Sequence, residues 1–380
     1  MIAGQRIERW AICKISDVDH GEVMSSAQSL SGERPASDRW VRASTPEDAA
    51  AIAALMRDAG LQAETRIAHL HWKYWRPRED WSGSRSFVLT DGRELLAHGA
   101  VMPGTLAWGS VRARVIHVID WAARREALGA GIQLMKHVAR ETDFLLGIGG
   151  SPDTLKIMPL LQYRLSGTVR GYARPLSPLG VLNDSSRSRW KMAPRVARSL
   201  FWAATAPRPD LSGWQPRRAD LDDVVRICSS LSIRRSVAPV LERGPALLRH
   251  ALACPIVPVE LYLMEKGGRA GGHFVLSFVP GQARLADLWM ESEDPADWRA
   301  LVHSAVQQAK AKSGVVEVVA WSSDPLVSKA LEHCGFHQRF TLPIYVRSSG
   351  TVAMPPAEVR VHMLDNDAFY LHSGRSEFWA

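Results

Sequence analysis

Two residues that can transfer protons, His117 and Asp120, lie in the apolar run 111–123, directly before a glycine turn. Histidine has a reference pKa close to neutrality, and a carboxylate can accept a proton from an amine. The run predicts a β-strand, so alternate residues face opposite sides and at most one of the two faces a substrate. The alternatives are a hydrogen-bonded core histidine at 117 and a strand-end residue that caps the turn at 120.

The turn itself reads Leu128-Gly129-Ala130-Gly131 and leads into a helical pattern. The first amides of a helix have no partner within the helix, and the helix dipole favours negative charge at that end. Glycines let an anion approach these amides closely. The pattern therefore predicts an anion cradle, with the backbone nitrogens around Ala130 aimed at a phosphate. The alternative is a helix start whose small residues only permit close packing.

A third group of residues suits ligand recognition. Residues 69–81 read HLHWKYWRPREDW and combine aromatic with basic side chains. Aromatic faces with basic edges can stack a sugar ring or a base and hold an acidic group. The candidate substrate residues are Trp72, Tyr74 and Trp75. Burial of these side chains as packing anchors is the favoured interpretation.

The surrounding pattern predicts an α/β (α+β) scaffold for these residues. Thr45, Pro46 and Asp48 mark a helix start after a first strand, and Asp91-Gly92 predicts a hairpin. The strand at 111–123, the glycine turn, a helix, the buried strand DFLLGIGG and a second helix follow. The second half repeats this order, with the hairpin ELYLMEKGGRAGGHFVLSFV and the helix DPLVSKALEHCGF. The repetition indicates a duplicated unit.

The length of 380 residues exceeds what one hydrophobic core usually serves, so two domains are expected. The predicted parts are a mobile leader at 1–38, an N-terminal unit at 39–176, a basic Pro- and Ser-rich linker at 177–214, a C-terminal unit at 215–348 and a tail at 349–380.

The chain carries 47 basic and 39 acidic residues, a net charge of +8. This surplus favours an anionic ligand, a nucleic acid or an acidic lipid surface without selecting among them. Part of it forms one local cluster: Arg187, Arg189, Lys191, Arg195 and Arg198. A solvated basic linker is the favoured interpretation, and an RNA- or membrane-binding patch is the alternative.

Four scattered cysteines, at 13, 228, 254 and 334, give neither a disulfide framework nor a zinc pattern. A reducing cytoplasm and no metal site are therefore expected. The first residues lack a secretory signal. The longest apolar run, 246–264, contains charges and prolines, so no membrane span is expected.

The order strand, helix, hairpin, strand, glycine turn, helix, strand, helix resembles the GNAT acyltransferase superfamily. The pyrophosphate motif of that family is Arg or Gln, two residues, Gly, one residue, then Gly or Ala. Gly129 and Gly131 match its glycines. The leading position falls on Glu126, a departure that needs Arg124 or Arg125 nearby to offset its charge.

This resemblance covers roughly residues 40–176 and 215–346. It implies two GNAT-like units, each with a mixed, mostly antiparallel central sheet flanked by helices. Acetyl-CoA, the acyl donor, would lie where two central strands splay apart, between 118–121 and 146–149. The implied cofactor-binding residues are the pyrophosphate turn Leu128, Gly129, Ala130 and Gly131, and Ile119 or Trp121, whose amide would bind the thioester carbonyl.

Many members of the family protonate the leaving thiolate with a tyrosine four residues before a Gly-Phe exit. Those positions fall near Met158 and at Leu331, neither of which can donate a proton, so Ser151 or Thr154 would have to assist. In the second copy, KALEHCGF resembles the late helix of the family, whereas ESEDPADW replaces the cradle. Its carboxylates would repel pyrophosphate, so the C-terminal unit is predicted to bind no coenzyme A.

The leading hypothesis is an acetyl-CoA-dependent N-acetyltransferase that acts on a small-molecule amine, with Asp120 or His117 as the base. An amino sugar or polysaccharide precursor is one candidate acceptor. A Fem-type transferase that uses aminoacylated RNA is the alternative enzyme, and its basic surplus would bind nucleic acid. A degenerate, non-catalytic GNAT-like binding module is the third hypothesis. The sequence determines neither the acyl chain length nor the oligomeric state.

Overall fold

A computed structural model describes residues 39–61, 63–183, 193–208, 210–223, 238–374 and 378–379. The predicted leader at 1–38 lies outside the described residues, as do Arg187, Arg189 and Lys191 of the basic cluster.

The N-terminal half alternates strands and helices in the predicted order. Its strands are β1 (Trp40–Ala43), β2 (Ser86–Thr90), β3 (Leu95–Trp108), β4 (Val111–Ala123), β5 (Phe144–Ile148) and β6 (Arg164–Pro175). Its helices are α1 (Ala49–Asp58), α2 (Ile67–Leu70), α3 (Ala130–Val138) and α4 (Pro152–Ile157). A π-helical turn, His71–Trp75, continues α2.

A 3₁₀ turn (Pro178–Asn183) and α5 (Ala193–Thr205) lead to the C-terminal half. Its strands are β7 (Gln215–Arg218), β8 (Val240–Leu241), β9 (Val259–Lys266), β10 (Arg269–Val279), β11 (Gln282–Met290), β12 (Glu317–Ser322) and β13 (His337–Ser348). Its helices are α6 (Pro245–Leu252), α7 (Pro295–Lys310) and α8 (Pro325–His333). Two short 3₁₀ turns, Met363–Asp365 and Asp367–Phe369, lie in the C-terminal segment.

Local sequence signals determine where several elements begin. Thr45 and Asp48 form the predicted capping box ahead of α1. Gly92, in the turn between β2 and β3, has a φ of +85°, a conformation that glycine adopts without steric cost. Ser151 caps α4, because its Oγ accepts a hydrogen bond from the Thr154 amide.

One sheet runs through both halves in the order β1-β2-β3-β4-β5-β13-β6-β12-β11-β10-β9-β7. The order is symmetric when each strand is matched with its repeat, for example β4 with β11 and β5 with β12. The last strands of the two halves are exchanged, since β13 pairs with β5 and β6 pairs with β12. The predicted mixed, mostly antiparallel fold class is confirmed, whereas the exchange was not predicted.

The hydrophobic core is shared between the halves. Its largest cluster takes Trp72 from the first half, Leu261 from the second and Phe369 from the C-terminal segment. The region predicted as a tail, 349–380, therefore packs into the core over much of its described length. The region predicted as a linker contains α5, which packs against β6. The unit boundaries stay predictions, because the exchanged strands join both halves in one sheet.

Candidate active site

The central strands β4 and β5 separate close to the place that the resemblance implied, although Leu146 is still paired with His117. They pair in parallel only over Val115–His117 and Phe144–Leu146. Beyond that point β4 continues to Ala123 along β3, and β5 continues to Ile148 along β13. Residues 118–121 and 147–149 therefore border a wedge without strand pairing. Ile119 and Trp121 lie on its β4 side.

The glycine turn lies at the start of α3, next to this wedge in the chain. Gly129 is the N-cap with a φ of +75°, and no side chain caps the helix. The Ala130 amide donates to the Ala127 carbonyl at 3.0 Å, so the amide at the centre of the predicted cradle is engaged in a turn. None of the hydrogen bonds found among the described residues uses the amides of Gly131 and Ile132. The amides open to an anion therefore lie one and two residues later.

Two features of the turn bear on the anion-cradle hypothesis. A Cβ at Gly129 would meet no atom within 4 Å, which leaves an open approach. A Cβ at Gly131 would lie 3.2 Å from Nε1 of the Trp121 indole, so close packing also favours a glycine there. Leu128 is 78% exposed beside the turn. The packing alternative thus accounts for Gly131, and the open approach at Gly129 favours the cradle.

Arg124 is one of the two arginines that the resemblance required near Glu126, and it is engaged elsewhere. Arg124 donates through Nε to the Leu95 carbonyl at 2.9 Å, which directs it to β3 and away from Glu126. Arg39 is a basic residue that the sequence reasoning missed, because it was assigned next to the leader. Its guanidinium donates to the Leu128 carbonyl at 3.3 Å and so supplies positive charge at the turn.

Asp120 lies in a strained and charged environment. Its φ is +49°, a left-handed conformation that is uncommon for a residue other than glycine, and β4 is irregular opposite Gly99. The Tyr74 hydroxyl donates to Asp120 Oδ2 at 2.8 Å, and Lys73 forms an ion pair with the same oxygen. Burial acts to raise the pKa of Asp120, but the Lys73 ammonium overrides it and holds the pKa below its usual value. Asp120 is therefore an ionised partner of Lys73 and a weak base.

The π-helical turn explains how Lys73 and Tyr74 both reach Asp120. Consecutive residues Trp72, Lys73 and Tyr74 are all buried, which a regular surface helix does not allow. Single π-helical turns are frequent at functional sites. The π-helical turn therefore places both Lys73 and Tyr74 against Asp120, beside the wedge.

A second carboxylate, Asp367, approaches this pair from the C-terminal segment. Burial raises the pKa of Asp367 to about 6, with the negative charge of Asp120 adding to the rise and Lys73 opposing it. Asp367 as a whole residue is half-buried. Sequence reasoning missed it because the segment was assigned as a tail. The buried alternation of apolar residues around VHMLDNDAFY was the available signal.

His117 is satisfied on both ring nitrogens. Nδ1 lies 3.1 Å from the Leu146 carbonyl, and Nε2 lies 2.9 Å from Nδ2 of Asn366. Nδ1 therefore carries the proton and Nε2 accepts from the amide. Burial lowers the pKa of His117 to about 4. This geometry favours the core-histidine alternative over catalysis.

The predicted substrate aromatics are mainly packing residues. Trp72 is stacked on His250, with ring centroids 4.6 Å apart, and its Nε1 donates to the His250 carbonyl. Trp75 donates to Ser44 Oγ at 3.0 Å. Tyr74 alone faces the cleft described next.

An acceptor cleft opens over Asp120. Its walls come from α1, α2, β4 and the C-terminal segment, and its empty volume is about 550 Å³ including open solvent. Its polar lining consists of Glu64, Arg66, Lys73, Tyr74, Asp120, Tyr370 and His372. A smaller apolar cavity behind it shares Lys73 and Tyr370 but exposes little polar surface.

Ser151 and Thr154, the residues proposed to assist thiolate release, form hydrogen bonds with each other at the start of α4. Ser151 Oγ caps α4 and lies 2.9 Å from Thr154 Oγ1. Met158 places its Cε 3.0 Å from the position of a Cβ on Gly147, so a thioether lies on the β5 side of the wedge. Met158 therefore supplies no hydroxyl that could protonate the leaving thiolate.

The C-terminal copy differs at the corresponding helix. Asp294 caps α7, because its carboxylate accepts from the Ala296 amide at 2.8 Å. Ser292 Oγ accepts from the Asp294 amide. The start of α7 therefore carries its own anion, whereas the start of α3 has no side-chain cap. This contrast supports the prediction of a single donor site in the N-terminal half. Among the described residues, no cluster of His, Cys, Asp or Glu could hold a metal ion.

No protein-family model and no curated protein matches this chain. Solved structures do match. A probable N-acyltransferase of Enterococcus faecalis superposes with a TM-score of 0.54 at 12% identity, covering 82% of this chain and 72% of the other. A GCN5-related N-acetyltransferase of Anabaena variabilis gives a TM-score of 0.55 at 13% identity over the same shares.

The N-myristoyltransferase of Saccharomyces cerevisiae, solved with myristoyl-CoA, gives a TM-score of 0.55 at 13% identity. The match covers 84% of this chain and 80% of the yeast enzyme. At these identities the likeness concerns the fold. The chain has the fold of the GNAT acyltransferases, as the resemblance predicted.

Proposed function

We propose that this chain is an acyl-CoA-dependent N-acyltransferase whose donor lies in the wedge between β4 and β5. The observation that carries the proposal is the position of the Lys73–Asp120 pair at the mouth of that wedge, next to a helix start without a side-chain cap. Acetyl-CoA is the donor that we propose, in line with the acetyltransferase structures that share the fold. The amides of Gly131 and Ile132, with Arg39, would hold its pyrophosphate.

The acceptor is an amine bound in the acceptor cleft. The charged side chains that line the cleft balance one another: Glu64, Arg66, Lys73 and Asp120. Asp367, which interacts electrostatically with Lys73 and Asp120, adds one negative charge when ionised, and this surplus favours a protonated amine. Asp367 suits proton removal better than Asp120, since a base with a pKa near 6 is both deprotonated at neutral pH and basic enough to act. Asp120 and Lys73 then position the amine, and proximity supplies much of the rate.

A small amine, such as an amino sugar, is the proposed acceptor class. The free thiols of Cys254 and Cys334 fit the reducing cytoplasm expected from the cysteine pattern. The degenerate-module hypothesis remains a competitor because Met158 replaces the usual acid. A Fem-type transfer from RNA has no structural observation in its favour.

Binding of the donor tests the proposal first. Titration of the full chain with acetyl-CoA should raise the melting temperature, as expected for a ligand that binds only the folded state. Leu128→Asp places a carboxylate beside the open amides and should weaken binding about tenfold. Leu221→Asp is the matched control, because Leu221 is 55% exposed in the other half. Equal binding by both variants, or no binding by the unmodified chain, contradicts the proposed donor site.

A screen of amines with acetyl-CoA then separates an enzyme from a binding module. Release of free thiol in the presence of an amine, above the rate with acetyl-CoA alone, supports transfer. Donor binding without thiol release for any amine favours the binding module.

A further inference from the structure

Positive charge is concentrated in one segment of the chain. Residues 154–209 contain ten Lys or Arg residues and one acidic residue, Asp184. This segment therefore accounts for the entire net charge of +8, and the rest of the chain is close to neutral. Seven of the ten basic residues belong to the described chain, where the segment has no acidic residue.

The same segment exposes large apolar side chains. Six of the eleven exposed large hydrophobic residues of the described chain lie in it: Leu160, Leu165, Leu179, Leu182, Leu200 and Phe201. Positive charge and exposed apolar residues thus coincide along the chain, although burial normally separates apolar from charged residues.

Helix α5 shows the arrangement most clearly. Val196 and Trp202 pack against the core, and Ser199 is fully buried. The opposite side exposes Ala197, Leu200, Phe201 and Ala204, which follow the spacing i, i+3, i+4, i+7 of one helix face. We call this face the α5 stripe. Its apolar residues point to solvent, the reverse of an ordinary surface helix.

The arginines of α5 itself lie toward the core side of the helix. The guanidinium of Arg198 is stacked 4.8 Å from the ring of Trp202, which packs against the core, and Arg195 donates to the Phe378 carbonyl. The basic residues nearest to the α5 stripe along the chain are Arg187, Arg189 and Lys191 before α5 and the exposed Arg208 after it. The 3₁₀ turn Pro178–Asn183 packs on α5 and adds the exposed Leu179, 59% accessible.

We propose that the α5 stripe docks on an anionic lipid surface. Leucine and phenylalanine on the exposed face of a helix, within a basic segment of the chain, are typical of helices that lie in a membrane interface. A nucleic acid would use the charge but would gain nothing from exposed aliphatic side chains, because single-stranded RNA is bound by aromatic stacking and polar contacts. No helix of the described chain is long and apolar enough to cross a membrane.

Vesicle flotation of the full chain tests the proposal. The chain should float with phosphatidylcholine vesicles that contain about 30% phosphatidylglycerol and bind pure phosphatidylcholine vesicles far more weakly, with binding reduced by salt. The double variant Leu200→Glu/Phe201→Glu should lose about tenfold or more of the vesicle affinity. Leu221→Glu, at an equally exposed leucine outside the segment, should bind like the unmodified chain.

Circular dichroism and thermal unfolding of the double variant provide the folding control, because Leu200 and Phe201 are exposed and their replacement should leave the folded core intact. The proposal is overturned if the unmodified chain fails to float, or if the double variant floats as well as the unmodified chain. It is also overturned if the chain binds a polyuridylate oligomer with a steep salt dependence while vesicles have no effect.

Discussion

Asn366 donates its side-chain amide to Nε2 of His117, at 2.9 Å and across 249 positions of sequence. His117 lies at the last paired position of β4, where the wedge begins, and its other nitrogen bonds to β5. One imidazole thus connects both central strands to the C-terminal segment. The separation of the strands and the position of Asp367, one residue after Asn366, are therefore coupled.

Replacing Asn366 by alanine should lower the free energy of unfolding by about 1–3 kcal/mol, because a buried nitrogen of His117 loses its donor. Chemical denaturation measures the change. Thr351→Ala, which removes an exposed hydrogen bond to Asp143, serves as the control and should change stability by less than about 0.5 kcal/mol. A change of similar size in both variants would show that the imidazole contact contributes little.

Acid should destabilise the protein between about pH 6.5 and pH 4. Burial lowers the pKa values of His98 and His117 to about 4, below the value of an unfolded histidine. The unfolded chain therefore takes up these protons first, and stability is lost as the pH falls through this window. Denaturation at a series of pH values measures the slope, and a curve that is flat or rises toward pH 4 would contradict the assignment of neutral, buried imidazoles.

The Lys73–Asp120 pair predicts a non-additive mutant cycle. Lys73→Met alone leaves a buried carboxylate without its counter-charge and should cost about 3 kcal/mol or more. Lys73→Met/Asp120→Asn removes both charges and should recover part of that loss. Thermal and urea denaturation of the single and double variants measure the free energy of unfolding of each. Additive losses would contradict an interaction between Lys73 and Asp120.

Asp367→Asn should separate stability from activity. The pKa of Asp367 is raised to about 6, above the value in an unfolded chain. At a higher pH the ionised carboxylate therefore destabilises the folded state relative to the unfolded state. The variant should therefore be more stable than the unmodified chain at pH 7.5, by on the order of 2 kcal/mol, with the difference disappearing below about pH 4. Denaturation at the two pH values measures the difference.

The same variant tests Asp367 as the base. If Asp367 is the base, transferase activity of the unmodified chain should rise with pH through about 6, and the activity of the variant should be lower by about 100-fold or more. Full activity in the variant would exclude this role.

One acyl-CoA should bind per chain. Calorimetric titration with acetyl-CoA should give a stoichiometry near one, because Asp294 occupies the start of α7 while the start of α3 has no side-chain cap. Asp294→Ala should cost about 1 kcal/mol of stability through loss of the cap without changing donor affinity. Two equivalent sites would contradict the predicted difference between the halves.

Local signals predicted much of the fold from the sequence. The strand assigned to 111–123 has the same bounds in the structure, and the capping box at Thr45 and Asp48 forms as expected. These features depend on neighbouring residues, so a single sequence contains the information. The separation of β4 from β5 followed from the resemblance alone.

Local sequence signals could not predict the long-range contacts. Nothing local assigns Lys73 to Asp120, or Asn366 to His117, because each pair joins elements that are remote in the chain. The exchange of β6 and β13 was equally hidden, since the alternation of a strand shows which face is buried but does not identify its neighbour. The apolar residues around Tyr370 are a signal that the C-terminal segment is buried. They follow no helix or strand period, so the segment was assigned as a tail.

The exchanged strands make the wedge depend on both halves of the chain. β13 pairs with β5 on the side away from β4, so a strand of the C-terminal half supports the β5 border of the wedge. A fragment that ended before β13 would leave that edge of β5 unpaired. The N-terminal half is therefore not a self-sufficient unit, and its wedge requires the rest of the chain.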